Sequence, residues 1–295
     1  MIGKRMDRLV LRNYRVRFPF KLATTSYIFP EEIVLNVARL APFFDEIELV
    51  LFESRSPDSI PDHIQIKRLL ELSLLHQVGF NVHLPIDISL GDECEEVRKE
   101  GVSIVKKVIE QTLCLNPSFY ILHLDLTDPS NPPLEKGGLP CGVKNPTPHG
   151  GAGIVKNHDI EGWRRRLTRG LKEILDDGIE PKRISIETLG YPFEWIEDIV
   201  TEFGFSICLD IGHILIHGHD LQHYLKKYLP ETSIIHLHGF QNGRDHVGIE
   251  KLSGPILKTI LSSLHHFHGI VSVEVFSIDE LKSSLAILER KWIIN

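Results

Sequence analysis

RISIETLGYPFEWIEDIVTEFGFSICLD (residues 183–210) carries the reading of the fold. Its two ends, RISIE (183–187) and FSICLD (205–210), are short and rich in apolar residues up to a terminal carboxylate, as buried strands of a parallel sheet should be. FEWIEDIVTEF (193–203) between them predicts a helix, so the stretch is one strand–helix–strand unit. Both strands end on a carboxylate, Glu187 and Asp210. The same grammar extends outward through FKLATTS near residue 20, EIELVLFE (46–53), FNVHLP (80–85), FYILHLD (119–125), SIIHLH (233–238) and IVSVEVF (270–276).

Helical segments separate these runs. Pro30 presets φ ahead of Glu31 and Glu32, whose charge suits a helix start, and Ile33, Val34, Val37 and Leu40 form the apolar stripe that follows. Further helices are predicted from about Ile64 to Leu75, with Leu69, Leu70, Leu72 and Leu74 toward the core. Others are expected at Glu95 to Leu113, 160–176, 220–229, Ile256 to His265 and Ile278 to Leu288. Eight strand–helix units predict an α/β chain folded as a (β/α)8 TIM barrel, a single domain over residues 1–295. A Pro- and Gly-rich stretch without periodicity, about 127–158, interrupts the pattern after the fourth strand. Loops of that length in a compact domain usually carry function or are disordered.

Composition narrows the function. A net charge of -7 leaves no broad basic face, which argues against nucleic acid as a partner. The four cysteines, Cys94, Cys114, Cys141 and Cys208, form no CxxC pair, and the basic N-terminus lacks the uninterrupted apolar run of a secretion signal. No stretch is long enough to span a bilayer, so a cytoplasmic protein without a membrane partner is expected. GGAGIVK (150–156) lacks the third glycine of a dinucleotide fingerprint. His217 and His219 are read as surface, His265, His266 and His268 as helix-end residues, and Cys208 as a small filler inside the barrel.

Catalytic residues of such barrels sit at the C-terminal strand ends, and here those ends deliver His83, His123, Glu187, Asp210, His238 and Glu274. Imidazole nitrogen mixed with carboxylate oxygen suits Zn, Mn, Co or Fe better than an all-oxygen Mg or Ca cage. The set exceeds what one tetrahedral ion can use, so two divalent ions bridged by Glu187 are expected. His213, three residues past Asp210, completes the set or meets the substrate. In HLHGFQNGRDH, Arg244 is positioned to offset negative charge on a substrate, while Asp245 and His246 either hold another ion or move protons.

In this order, VHLP at His83, LHLD at His123, SIETL at Glu187, LDIGH at Asp210 and His213, HLHG at His238 and VEVF at Glu274 resemble the xylose-isomerase-like barrel superfamily. It includes sugar isomerases and epimerases and metal-dependent AP endonucleases of the endonuclease IV type. Within it, TTSYIFPEEI, IELVLFES, YPFEW, LDIGHILIHG, HLHG with GRDH, and VEVFS look most like the cobamide-remodelling phosphodiesterases, which open the nucleotide loop of corrinoids. The resemblance implies a metal-dependent phosphodiesterase acting on a small molecule such as a corrinoid. Histidines on the third and fourth strands match the phosphoester-cleaving branch; epimerase-type members generally lack them. Arg244, however, stands where the endonuclease branch has an aspartate, which counts against DNA repair and a third ion. In this reading Tyr27, Phe29 and Tyr191 contact the substrate, and Glu187, Glu274, Arg244 and His246 serve the chemistry. The alternative is an aldose–ketose isomerase or epimerase acting on a sugar or sugar phosphate, with Glu187 and Glu274 as paired acid and base around one ion. A binding protein without turnover is a third class, disfavoured by the retention of facing carboxylates.

Overall fold

Alternation along parallel strands sends one set of side chains into a barrel and the other toward the surrounding helices, so the apolar runs are buried on both sides. The computed structural model describes residues 11–56, 59–126 and 159–292. Numbered in chain order, the barrel strands are β1 (Lys21–Thr25), β2 (Glu46–Val50), β3 (Gly79–His83), β4 (Tyr120–Leu122), β5 (Ile184–Glu187), β6 (Ser206–Asp210), β7 (Thr232–Leu237) and β10 (Ile270–Val273). All pair in parallel and close in the order β1-β10-β7-β6-β5-β4-β3-β2. The eight runs read from the sequence therefore form one (β/α)8 barrel. The Pro- and Gly-rich stretch at 127–158, with Cys141 and GGAGIVK, lies outside the described residues.

The helices are α1 (Ile33–Leu40), α2 (His63–His76), α3 (Glu95–Thr112), α4 (Ile160–Leu175), α5 (Glu197–Phe203), α6 (Ile211–Ile216), α7 (Leu221–Tyr228), α8 (Gly254–Leu264) and α9 (Ile278–Trp292). Among them no helix is long and apolar enough to cross a membrane. The large apolar cluster joins strands to helices through residues such as Leu22, Phe44, Leu69, Val105 and Trp163. A second cluster of Ala23, Ile121, Cys208, Ile234 and Ile270 comes from strands alone and fills the barrel interior.

Three local expectations are revised. Leu74, expected toward the core, is 73% exposed: it lies five residues, about 140° round the helix, from the buried Leu69. FEWIEDIVTEF begins as a 3-10 turn at Phe193–Trp195 before α5. The segment after β7 is an antiparallel hairpin, β8 (Gly239–Gln241) with β9 (Arg244–Val247), not a plain loop. Its turn residues Asn242 and Gly243 take φ of 54° and 75°, the left-handed conformation for which Asn-Gly is the preferred pair.

Candidate metal centre

Because all barrel strands run the same way, their C-terminal ends share one rim, and period two sets which side chains point inward. Register places Asp210 beside His236 and Glu187 beside Cys208. His123 and Glu274 follow directly after β4 and β10, and His238 follows β7 two residues beyond His236. α6 supplies His213, whose backbone N–H donates to Asp210 Oδ1 at 2.6 Å, so Asp210 caps the helix that carries its neighbour. The hairpin brings His246 over the rim, its ring 4.1 Å from that of His238.

Glu187 lies at the centre with its two oxygens divided. Oε2 is 3.2 Å from His83 Nε2 and 3.0 Å from His123 Nε2, while Oε1 is 3.3 Å from His213 Nδ1. His236 Nδ1 lies 3.0 Å from Glu274 Oε2, 3.5 Å from Glu187 Oε2 and 3.7 Å from Asp210 Oδ2. His246 Nε2 is 3.5 Å from Glu274 Oε2. Potential ligand atoms thus gather into overlapping sets, each within 4.8 Å: His83 with His123 and Glu187; Glu48 with His83, His236 and Glu274; Asp210 with His213, His238 and His246.

Glu48, Glu187, Asp210 and Glu274 are all buried, and among the described residues each of their ion pairs is with a histidine. Burial favours the neutral acid in Glu187 and Glu274, yet neighbouring histidines, His123 and then His236 for Glu187, His236 and then His246 for Glu274, hold these carboxyls well below the usual range. Conversely, burial pushes His213 and His246 down, but the carboxylates dominate and raise them to about 10 and about 11. Protons on histidines balance a surplus of buried negative charge, a task divalent cations perform better.

The donor set fits such ions. His236 Nδ1 and Nε2, both oxygens of Glu48 and Glu274 Oε2 are buried without a hydrogen-bond partner among the described residues. His236 Nδ1 and Glu274 Oε2 stand 3.0 Å apart, close enough for two ligands to share an ion. His238 Nε2 lies 3.1 Å from Asp210 Oδ1, while its Nδ1 is 3.0 Å from the backbone N of His246 and 3.1 Å from Gly239 O. His236 thus joins His238 as a candidate ligand at the end of β7. The sequence reading missed His236 and Glu48. The visible signal for His236 was period two, since His236 and His238 must face the same way; for Glu48 it was a charge in the middle of an apolar strand.

The remaining expected residues are spread around the rim. Arg244 is largely exposed and pairs with Glu280 Oε1 at 3.5 Å, while Asp245 Oδ1 is 3.1 Å from His246 Nδ1. Tyr27 is half exposed, with its ring edge-on to Phe52 at 5.3 Å and Phe276 at 6.3 Å; Phe276 in turn stacks on His246 at 5.0 Å. Phe29 lies under the Arg39 guanidinium. Tyr191 is buried, stacked on Trp195, and donates to Leu124 O at 2.8 Å, so it braces the wall.

The sequence matches the model of a family described as xylose isomerase-like TIM barrel over residues 37–292. No curated protein matches the chain. Among solved structures, a D-tagatose 3-epimerase-like protein is similar with a TM-score of 0.69 and 21% identity, covering 93% of this chain and 98% of its own. Endonuclease IV from Thermus thermophilus is similar at 0.62 and 15%, with coverages of 92% and 99%. An IOLI protein with a binding zinc atom is similar at 0.61 and 17%, with coverages of 93% and 97%. At these identities the likeness establishes the fold.

Proposed function

The chain belongs to the xylose isomerase-like TIM barrel family, and from that premise we propose that it is a metal-dependent phosphodiesterase acting on a small molecule. The observation that carries this reading is the pair His83 and His123 on one oxygen of Glu187, beside His236, whose Nδ1 faces Glu274 at 3.0 Å and Asp210 at 3.7 Å. Such a division provides for two divalent ions of the Zn, Mn, Co or Fe class. When bound, they would supply Lewis acidity to a phosphoryl group and lower the pKa of water.

The chain's own residues do the positioning. Glu187 meets His83, His123 and His236 through Oε2 and His213 through Oε1, so one carboxylate joins the residues of both groups. His238 holds Asp210 through Nε2. His246, raised to about 11 and placed between Asp245 and Glu274, can donate a proton to a departing oxygen or hold a further ion with Asp210 and His213. Arg244 sits on the hairpin above the rim, where its guanidinium can exchange Glu280 for a phosphoryl oxygen. As substrate we propose a cobamide opened at the phosphoester of its nucleotide loop. Supporting this are the stretches that resemble cobamide-remodelling enzymes and the exposed ring of Tyr27 beside Phe52 and Phe276, suited to a flat apolar surface.

A second reading is a sugar isomerase or epimerase with one ion and Glu187 and Glu274 as acid and base. Its support is the D-tagatose 3-epimerase-like and other epimerase structures among the neighbours. One experiment separates the two. Protein loaded with Zn, Mn or Co is assayed for metal content, for release of a phosphate-bearing corrinoid and a riboside from cobamide, and for interconversion of ketoses. Two ions per chain with corrinoid release are expected; one ion with ketose turnover would establish the second reading.

A further inference from the structure

The mouth holds one buried acid to which the reading above gives no task. Glu48, in the middle of β2, is fully buried, and neither of its oxygens has a hydrogen-bond partner among the described residues. Its one ion-pair neighbour is His236, whose Nε2 lies 3.3 Å from Glu48 Oε2. The opposite nitrogen of that ring, Nδ1, faces Glu274, Glu187 and Asp210 at 3.0 to 3.7 Å. His236 is fully buried, so water does not reach either nitrogen.

A neutral imidazole has one lone pair and one N–H. If Nδ1 offers its lone pair to an ion held with Glu187, Asp210 and Glu274, the proton must sit on Nε2 and needs an acceptor in a dry interior. We propose that Glu48 is a positioning residue for the metal centre: it accepts from His236 Nε2–H and so fixes the tautomer and the ring angle that aim Nδ1 at the ion. Carboxylates that receive the second nitrogen of a metal-binding histidine commonly do this, and they also raise the basicity of the ligand. A buried acid held next to three others is costly unless a positive group answers it. The inference rests on reading the mouth as a metal centre and is independent of the substrate.

Two measurements on the whole protein test it without activity. In zinc-loaded protein with 15N-labelled histidine, long-range 1H–15N correlation should show His236 protonated at Nε2 with Nδ1 bound to zinc; protonation at Nδ1 would overturn the assignment. Zinc affinity by chelator competition should fall about 10- to 100-fold in Glu48→Leu, and less in Glu48→Gln, whose amide oxygen still accepts. Equal zinc affinity in wild type and both variants would sink the proposal while leaving the metal centre intact. Wild-type protein that takes up no zinc would end the metal-centre reading and this inference with it. Should Glu48→Leu not fold, the tautomer in wild type decides.

Discussion

Glu46 and Glu48 lie two residues apart on β2, face the same barrel interior and are equally buried, yet their surroundings are opposite. At the floor, Glu46 receives Lys21 Nζ and Ser118 Oγ, each at 2.8 Å, and Asn81 Nδ2 at 3.5 Å. At the mouth, Glu48 has no hydrogen-bond donor among the described residues, and the acids around it share a few histidines among them. Burying a carboxylate is tolerable when it is individually paired. The floor meets that condition inside the chain, whereas the mouth meets it with protons that a cation can displace. One face of the barrel is built for stability and the other for binding.

The contrast breaks first at Glu187. Glu187→Gln should reduce phosphodiester turnover to background and lower bound metal by at least one ion per chain, measured by elemental analysis, because it removes the carboxylate common to both ligand sets. A variant that keeps both ions would deny Glu187 its bridging place. At the floor the effects should reverse: Glu46→Ala should cost about 1–3 kcal/mol in denaturant unfolding, from buried donors left unanswered, with metal content unchanged. A floor variant that loses metal but not stability would erase the distinction between the two ends.

Protons sharpen the contrast further. Because His213 and His246 are raised to about 10 and about 11, the metal-free chain holds both protons at neutral pH, and an unfolded chain, near 6.5, does not. The stability they lend is complete below about pH 6.5 and is lost as pH rises through their folded values. Metal uptake at pH 8 should therefore expel protons, and apparent affinity should weaken as pH falls. Calorimetry in buffers of different ionisation enthalpy counts them; zero protons released would mean that these rings stay outside the coordination.

The barrel was legible because its strands are unbroken apolar runs, and that same pattern displayed His83, His123, Glu187, Asp210 and Glu274 at their ends. What stayed hidden was interior to a run. Glu48 and His236 sit where an apolar residue would serve the core, and a reading that looks for ligands at strand ends passes over them. The hairpin was hidden for another reason: Asn242-Gly243 announces a tight turn, but its flanking strands, GFQ and RDHV, are too short and too polar to register as strands. Their pairing follows from the turn, and it is the turn that carries His246 to the mouth.

The smallest effect expected is at Arg244, on the same hairpin. Its guanidinium is mostly exposed and its pairing with Glu280 spans 3.5 Å, so Arg244→Ala should change unfolding free energy by less than about 0.5 kcal/mol. Metal content should be unaffected, because no atom of Arg244 belongs to a ligand set. If the guanidinium leaves Glu280 for a phosphoryl oxygen, the loss appears in turnover alone: it falls in kcat/KM for a charged diester and is absent for a neutral ester of similar size. Glu280→Gln then gives the converse, freeing the arginine and lowering KM for the diester. Equal loss on charged and neutral substrates would assign Arg244 to holding the hairpin, and with it His246, rather than to the phosphoryl group.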